Sequence, residues 1–305
     1  MSLEKQSFCK VNLLLNVLGR RADGFHELET VLHPVAVFDE LRFERGGCGV
    51  ALTCSDSRLP VDATNLVHRA AASFLQAAGI RDGVEIHLEK RVPLAAGLGG
   101  GSADAATTLL GMNELFGFPL PAGTLETIAA SLGSDVPFFL QKQPALATGR
   151  GEKLQPLEFF PAWCGKAFLL IHPGFGISAA WAYQNLARFP AALNGRPGRA
   201  QALISKLRGG DWDGAGCEFY NSLEAPALEK FPVLALFQEF LRDNGALAAL
   251  MSGSGSTTFA VAENGNAARD LAEKFKSRFG ANAWLTAIPV QSDFEESLPP
   301  APDGN

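Results

Sequence analysis

A glycine-rich stretch between a predicted strand and a predicted helix constrains the fold of this chain more than any other feature. Residues 93–106 read PLAAGLGGGSADAA, and the alternating run VEIHL precedes them at 84–88. Four of the residues at 97–101 are glycines, which tolerate positive φ angles and allow the backbone to approach an anion closely. A helix that opens near Ser102 would direct its free N–H groups and its positive dipole end at that anion. The stretch therefore predicts a strand–turn–helix unit that binds phosphate.

This stretch matches neither of two standard glycine motifs. The pattern G-x-x-x-x-G-K-[ST] requires a lysine before the serine, where this chain has Gly101. The pattern G-x-G-x-x-G, started at Gly97, requires a glycine at the position of Ser102. A tight turn before a surface helix is the structural alternative, and the residues of the stretch alone leave it open.

Composition argues against several classes of function. The net charge is −6 and no run of lysine or arginine is longer than a pair, which argues against a nucleic-acid groove and a polybasic membrane patch. The five cysteines form no C-x-x-C pair, and a reducing compartment fits their odd number best. No apolar run reaches the roughly 18 residues of a membrane span, and MSLEKQSF lacks the apolar segment of a signal peptide. We therefore predict a cytoplasmic protein that binds neither nucleic acid nor membrane; its oligomeric state cannot be read from the sequence.

Lys10 lies within the first predicted strand, residues 7–18. A lysine in such a strand is either an edge residue that reaches solvent or a buried charge with a partner, and the residues alone favour the edge. The loop that follows, GRRADGFHEL at 19–28, combines two arginines, an aspartate and a Phe-His pair, and a solvated hairpin connection is its plain alternative. Short strands are then predicted at 30–38, 41–44 and 49–54.

Three helices and two further strands complete the first half. An amphipathic pattern predicts a helix over 66–79, the glycine stretch leads into a helix over 102–116, and another helix is predicted over 121–132. Asp135, two residues before a proline, is typical of a helix N-cap, a position that also aims its carboxylate rigidly. The strands are predicted at 144–148 and 152–157.

The order of elements in the second half predicts a ferredoxin-like α+β unit, because a strand is followed by helices, two strands, a helix and a last strand. The strands are predicted at 167–173, 247–251, 257–261 and 283–288, and the helices from about 178, at 200–208, 217–229, 233–244 and 267–279. We predict an N-terminal domain over 1–152 and a C-terminal domain over 153–289, with one large domain as the alternative. Three prolines and few apolar residues predict a disordered tail over 290–305.

Three features from distant parts of the chain carry compatible chemistry. An ammonium at Lys10, a carboxylate at Asp135 and a phosphate cradle ending at Ser102 suffice for phosphoryl transfer from ATP to a hydroxyl. Asp135 would accept the hydroxyl proton, and Lys10 would hold the attacking oxygen. Spacing along the chain does not establish that the three features meet.

The chain resembles the GHMP small-molecule kinases in three motifs that occur in the family order. CKVNLLL resembles the first motif, PLAAGLGGGSADAA the second, and LMSGSGS at 250–256 the third. The resemblance implies an α+β, two-domain GHMP kinase fold, with an N-terminal mixed α/β domain that carries the ATP loop and a C-terminal ferredoxin-like domain. One departure is Phe8-Cys9, where the family usually has Pro-Ala, and it lies outside the reacting groups.

Within that family, the loop at 19–28 and the segment LGSDVPFF around Asp135 are similar to the members that phosphorylate 4-diphosphocytidyl-2-C-methyl-D-erythritol, an isoprenoid precursor. The likeness implies ATP and Mg²⁺ as cofactors, although no residue is assigned to the metal. It implies Lys10 and Asp135 as the catalytic pair. It implies an adenine contact at Asn65 and substrate contacts at Asn12, Phe25 and His26. The implied ATP loop consists of Pro93, Leu94, Ala95, Ala96, Gly97, Leu98, Gly99, Gly100, Gly101, Ser102 and Ala103.

Two further sites are predicted with plain alternatives. Gly253, Ser254 and Gly255 are interpreted as a second glycine loop over the phosphates, and a flexible strand turn is the alternative. Tyr183 is a candidate second aromatic plate for a cytosine, and ordinary packing is the alternative. Two rival functions also stay open at this point: a GHMP kinase for mevalonate, homoserine or a sugar, and a catalytically silent nucleotide-binding regulator.

Overall fold

The first half of the chain forms a sheet with helices packed on it. The computed structural model describes residues 2–290, so the predicted tail lies outside the described residues from 291 onward. The elements of this half are β1 (Ser2–Arg20), β2 (His26–Arg45), β3 (Val50–Cys54), α1 (Leu66–Ala78), β4 (Val84–Glu89), α2 (Gly100–Leu115), α3 (Ala122–Leu132), a 3₁₀ turn (Val136–Leu140), β5 (Ala145–Gly149) and β6 (Lys153–Pro156).

The second half forms a smaller antiparallel sheet and most of the remaining helices. Its elements are a 3₁₀ turn (Pro161–Trp163), β7 (Ala167–His172), α4 (Ala179–Asn185), a 3₁₀ turn (Leu186–Arg188), α5 (Pro190–Leu193), α6 (Arg199–Arg208), α7 (Trp212–Gly216), β8 (Tyr220–Asn221), α8 (Glu224–Lys230), α9 (Pro232–Asp243), β9 (Ala248–Met251), β10 (Thr258–Ala262), α10 (Gly265–Phe279) and β11 (Trp284–Pro289). The sheet order is β11-β7-β10-β9, with every neighbour antiparallel. This order follows the predicted ferredoxin-like arrangement.

The long hairpin of β1 and β2 is the backbone of the larger sheet. Both strands are longer than predicted, and the break predicted between 38 and 41 is wrong because β2 runs continuously from His26 to Arg45. Asp39, at the predicted break, is buried inside the strand and accepts hydrogen bonds from the backbone N–H groups of Arg91 and Val92. Its charge is therefore satisfied within the core and does not end the strand.

The larger sheet has the order β3-β4-β2-β1-β8, with β5 joined to β2 and β6 joined to β5. β8 pairs in parallel with only Leu14 and Leu15 of β1, so the rest of that edge needs other cover. The glycine-rich loop supplies it at Lys10, whose backbone N–H donates to the Leu98 carbonyl over 3.1 Å. The prediction of a solvent-reaching edge lysine is therefore wrong, and the residue is only 3% exposed.

The helix predicted over 217–229 is also wrong. Helix α7 ends just before this stretch, and the chain there forms a turn, then β8, and then α8. Asn221 explains the interruption, because its side-chain N–H₂ donates to the carbonyls of Met251 and Gly253, each over 2.7 Å. Contacts with a distant segment thus outweigh a weak helical pattern in this stretch.

The two sheets share one core, which fixes the motifs relative to each other. Val11 of β1, Leu98 of the glycine-rich loop and Leu203 of α6 belong to the same buried cluster. Glu29 of β2 adds a polar link, because its carboxylate accepts the backbone N–H groups of Gly198 and Ala200 at the start of α6. In the described part of the chain, no helix has both the length and the apolar character needed to cross a membrane.

Candidate active site

The three sequence motifs meet at one cavity of about 740 Å³. Lys10 and Asn12 of β1 line it, together with residues of the glycine-rich loop and of the later glycine turn. The aromatic residues predicted to bind the base line the same cavity. The predicted site residues on the cavity wall are Lys10, Asn12, Phe25, His26, Gly97, Gly99, Asp135, Tyr183, Gly253 and Ser254.

The two glycine turns touch backbone to backbone. Gly97 has φ 78°, and a Cβ built on it would lie 2.0 Å from the Ser252 carbonyl oxygen. The Ser252 hydroxyl donates to the Gly97 carbonyl over 3.0 Å, and Thr257 N–H donates to the Ala96 carbonyl over 3.1 Å. Only glycine at position 97 allows this approach, so the turns form one rigid unit.

Gly97→Ala is expected to raise the KM for ATP by roughly tenfold or more, because an alanine at positive φ is strained and its Cβ would drive the two turns apart. Gly117→Ala is the matched control, since Gly117 has φ 81° but open space at its Cβ position. Steady-state kinetics at saturating acceptor would measure both variants. Equal losses in the two variants would show that backbone strain alone, and not the contact between the turns, determines the effect.

The N-terminus of α2 is open to an anion. Gly99, at φ 73°, occupies the N-cap position and provides no side-chain capping bond, and the first turn contains no acidic residue. Helix α2 begins at Gly100, two residues earlier than predicted, so Ser102 and Ala103 lie in its first turn. Uncapped N–H groups and the helix dipole both favour a bound phosphate here.

Lys10 is held in place by two acceptors. Its ammonium donates to the Asn12 side-chain oxygen and, over 3.0 Å, to the Gly97 carbonyl. An ammonium has three N–H groups, so one is left to face the cavity. Burial lowers the pKa of Lys10, while the nearby carboxylate of Asp135 acts in the opposite direction.

Asp135 is the only carboxylate among the described side chains that line the cavity. It stands at the N-cap position of the 3₁₀ turn Val136–Leu140, as predicted, but its side chain makes no capping hydrogen bond. Asp135 is exposed on the cavity wall, and its carboxylate makes no hydrogen bond that stabilises the turn. It is therefore available to a ligand.

A buried ion cluster, which the sequence reasoning missed, lies beneath the start of α2. Lys90 bonds to the carboxylates of Asp39 and, over 2.8 Å, Asp104, and all three side chains are at most 4% exposed. The two carboxylates share one ammonium. Burial and the neighbouring charge of Asp39 raise the pKa of Asp104 to about 7, although the charge of Lys90 acts in the opposite direction. A Cβ built on Gly100 would lie 3.1 Å from the Lys90 ammonium, which places the cluster directly under the glycine-rich loop.

Phe25, His26 and Tyr183 line a part of the cavity that is called its aromatic end below. Phe25 is 54% exposed, and the guanidinium carbon of Arg150 lies 4.7 Å from its ring centroid. Tyr183 stacks on His26, with ring centroids 5.2 Å apart and planes inclined by 27°. Burial, together with the charge of Arg20, lowers the pKa of His26, which favours the neutral form of this imidazole.

Asn65 lies apart from this cavity wall. Its side chain caps α1, because its oxygen accepts Val67 N–H over 2.9 Å and its N–H₂ donates to the Pro60 carbonyl over 2.7 Å. An adenine contact at this residue stays a prediction. Cys9 is buried with a pKa raised by desolvation, which agrees with the absence of a nucleophilic role in the predicted chemistry.

Comparisons with known proteins agree with this arrangement. Two family models match the chain: "GHMP kinases N terminal domain" over residues 65–143 and "GHMP kinases C terminal" over residues 200–282. A relative from Syntrophotalea carbinolica named 4-diphosphocytidyl-2-C-methyl-D-erythritol kinase is 42% identical over 279 residues, which cover 90% of this chain and 95% of the relative.

Solved structures give the same picture. A crystal structure of 4-(cytidine 5'-diphospho)-2C-methyl-D-erythritol kinase is 36% identical with a TM-score of 0.76, and the match covers 94% of this chain and 99% of that one. The homoserine kinase from Cytophaga hutchinsonii is 22% identical with a TM-score of 0.71 and coverage of 96% for both chains. The second likeness shows the fold alone.

Proposed function

This chain belongs to the GHMP kinase family, and from that membership we propose that it transfers the γ-phosphoryl group of ATP to the 2-hydroxyl of 4-diphosphocytidyl-2-C-methyl-D-erythritol. Relatives of this name are 38–42% identical over most of the chain. Such a reaction would belong to isoprenoid precursor biosynthesis. The observation that carries the proposal is the convergence of a lysine, a carboxylate and an uncapped helix N-terminus on one cavity.

Phosphoryl transfer needs little covalent chemistry from the protein, so positioning and charge stabilisation carry the catalysis. In the proposed mechanism, Asp135 accepts the hydroxyl proton as the acceptor oxygen attacks the phosphorus. The remaining N–H of Lys10 holds that oxygen and offsets negative charge at the reacting centre. The first turn of α2 and the two glycine turns hold the phosphates of the donor.

The aromatic end of the cavity suits a cytosine. Phe25 offers an exposed ring face on which a base can stack. A neutral His26 has one donor and one acceptor nitrogen, and it can therefore read the hydrogen-bonding edge of a base without adding a charge. Tyr183 stacks on that imidazole in this structure. In the proposal, Tyr183 orients His26 and the base stacks on Phe25.

Mg²⁺ fits this site only as an ion that arrives with the nucleotide. Among the described residues, no group of three or more His, Cys, Asp or Glu side chains is placed to hold a metal. Mg²⁺ commonly uses one or two carboxylates together with phosphates and water, so Asp135, as a carboxylate on the cavity wall, would be available to hold such an ion. When bound, the cation neutralises charge that develops on the transferred group.

An ADP-release assay with a panel of alcohols tests the proposal. The cytidylylated methylerythritol is expected to give a kcat/KM at least about 100-fold above free methylerythritol, mevalonate and homoserine, because only it fills the aromatic end of the cavity. Asp135→Asn serves as the background for contaminating ATPase activity. Faster ADP release with mevalonate or homoserine would assign the chain to another GHMP activity, and no release with any alcohol would favour a silent nucleotide-binding protein.

A further inference from the structure

The cavity carries more positive charge than phosphoryl transfer at its catalytic end requires. Besides Lys10, two arginines line it, Arg20 and Arg150, and Asp135 is the only carboxylate opposite them among the described residues. The chain as a whole has a net charge of −6, so this positive surplus is local. A cavity with this balance selects for an anionic ligand.

Both arginines flank the pair of residues proposed to read the base. Arg20 ends β1 and pairs in register with His26 of β2. Arg150 directly follows β5, and its guanidinium lies over the Phe25 ring. The two cations therefore approach the aromatic end from different strands of the sheet, whereas the glycine-rich loop contacts Lys10.

Neither of these guanidiniums forms an ion pair with a described carboxylate, although the charge of Arg150 also acts on Asp23 and Glu152 and lowers the pKa of both. In the described chain, no carboxylate lies within the 4.0 Å ion-pair distance of Arg20 or Arg150. The neighbouring Arg21 shows the contrast, because it forms ion pairs with Asp23 and Glu27. An unpaired guanidinium that lines a cavity keeps its planar set of donors available for an oxyanion.

We propose that Arg20 and Arg150 bind the diphosphate that links the nucleoside of the acceptor to its sugar alcohol. The inference rests on the proposed function, which supplies an acceptor with that linkage. In a nucleoside diphosphate, the phosphates are attached at the 5′ carbon close to the base, so groups that flank the base are within reach of them. The arginines thereby select cytidylylated alcohols over free ones, which lack the anion.

Titration calorimetry with CDP and with cytidine tests this assignment without turnover. In Arg20→Met and Arg150→Met, the affinity for CDP is expected to fall by about tenfold each, toward the affinity for cytidine, because a charge-assisted contact is lost. The affinity for cytidine and the KM for ATP should change by less than about twofold. Arg21→Met is the matched control, since it removes a neighbouring cation that does not line the cavity, and its CDP affinity should stay near that of the unmodified chain.

Two results would overturn the assignment. Equal losses of CDP and cytidine affinity would mean that the arginines act by packing on the base-reading residues, and a selective rise in the KM for ATP would assign them to the donor.

Arg20→Lys and Arg150→Lys control for loss of the fold, because each variant keeps a positive charge at its position. They should lose less CDP affinity than the methionine variants. If the unmodified protein releases ADP with the cytidylylated acceptor but these variants bind CDP normally, the arginine assignment fails while the proposed function stands. If the unmodified protein neither binds CDP nor releases ADP, both fail.

Discussion

Asp135→Asn is expected to lower kcat by roughly 10²- to 10⁴-fold, the range typical for loss of a general base. Asparagine keeps the size of the side chain and removes its ability to take a proton. The fold should be unaffected, because the Asp135 carboxylate makes no capping hydrogen bond with the turn that it precedes. The dissociation constant of ATP should also survive, since the glycine turns and the N-terminus of α2 are unchanged.

Steady-state assays at saturating ATP and acceptor measure the effect on kcat, and calorimetry measures the effect on the dissociation constant of ATP. Ser134→Ala is a suitable control, because Ser134 lines the cavity beside Asp135 but has no carboxylate. Its kcat should stay within a few-fold of the unmodified enzyme. Near-normal turnover in Asp135→Asn would show that the carboxylate only orients the hydroxyl or has no role in the reaction.

The parts of the site that follow from local chain chemistry were predictable from the sequence. The four glycines among residues 97–101 predict a loop with unusual backbone angles, and the structure gives Gly97 and Gly99 positive φ. The proline two residues after Asp135 correctly predicted that Asp135 occupies an N-cap position. These features depend on a few consecutive residues, and a single sequence carries such information well.

Features that depend on distant contacts were not predictable in the same way. Lys10 is buried because a loop almost 90 residues later covers its strand edge, and no pattern around Lys10 reports that loop. The sequence predicted a break between residues 38 and 41, yet Asp39 is paired with Lys90 in the core. Similarly, the short strand at Asn221 exists because the Asn221 side chain donates hydrogen bonds to the distant carbonyls of Met251 and Gly253.

The ion cluster of Asp39, Lys90 and Asp104 had one weak signal in the sequence. Lys90 lies between a strand and the glycine-rich stretch, and Asp104 lies two residues after Ser102, so two opposite charges flank the loop in the sequence. Only the fold brings Asp39 to them. The cluster orients the entry to the loop, because Asp39 accepts the N–H groups of Arg91 and Val92 over 2.6 and 2.8 Å.

Lys90→Met is expected to lower the free energy of unfolding by about 3–5 kcal/mol near pH 8, because it leaves two buried carboxylates without their cation. Lys274→Met is the control, since Lys274 forms an exposed pair with Asp270 on α10, and such a pair contributes at most about 1 kcal/mol. Urea unfolding of both variants measures the difference. Similar losses in the two variants would mean that the cluster adds nothing beyond an ordinary surface pair.

The deficit of Lys90→Met should also depend on pH in a definite direction. The pKa of Asp104 is already raised to about 7 in the folded protein, and removal of the ammonium raises the folded-state pKa of this carboxyl further. A carboxyl whose pKa is higher in the folded state binds its proton on folding, so its contribution to stability is present at low pH and is lost as the pH rises through the folded-state pKa. Unfolding free energies measured from pH 8 down to pH 5 should therefore converge toward those of the unmodified protein. In the double variant Lys90→Met/Asp104→Asn, one of the two stranded charges is gone, so part of the deficit at pH 8 should be recovered. A deficit that is the same at pH 5 and pH 8 would show that Lys90 stabilises the glycine-rich loop by packing and not by neutralising Asp39 and Asp104.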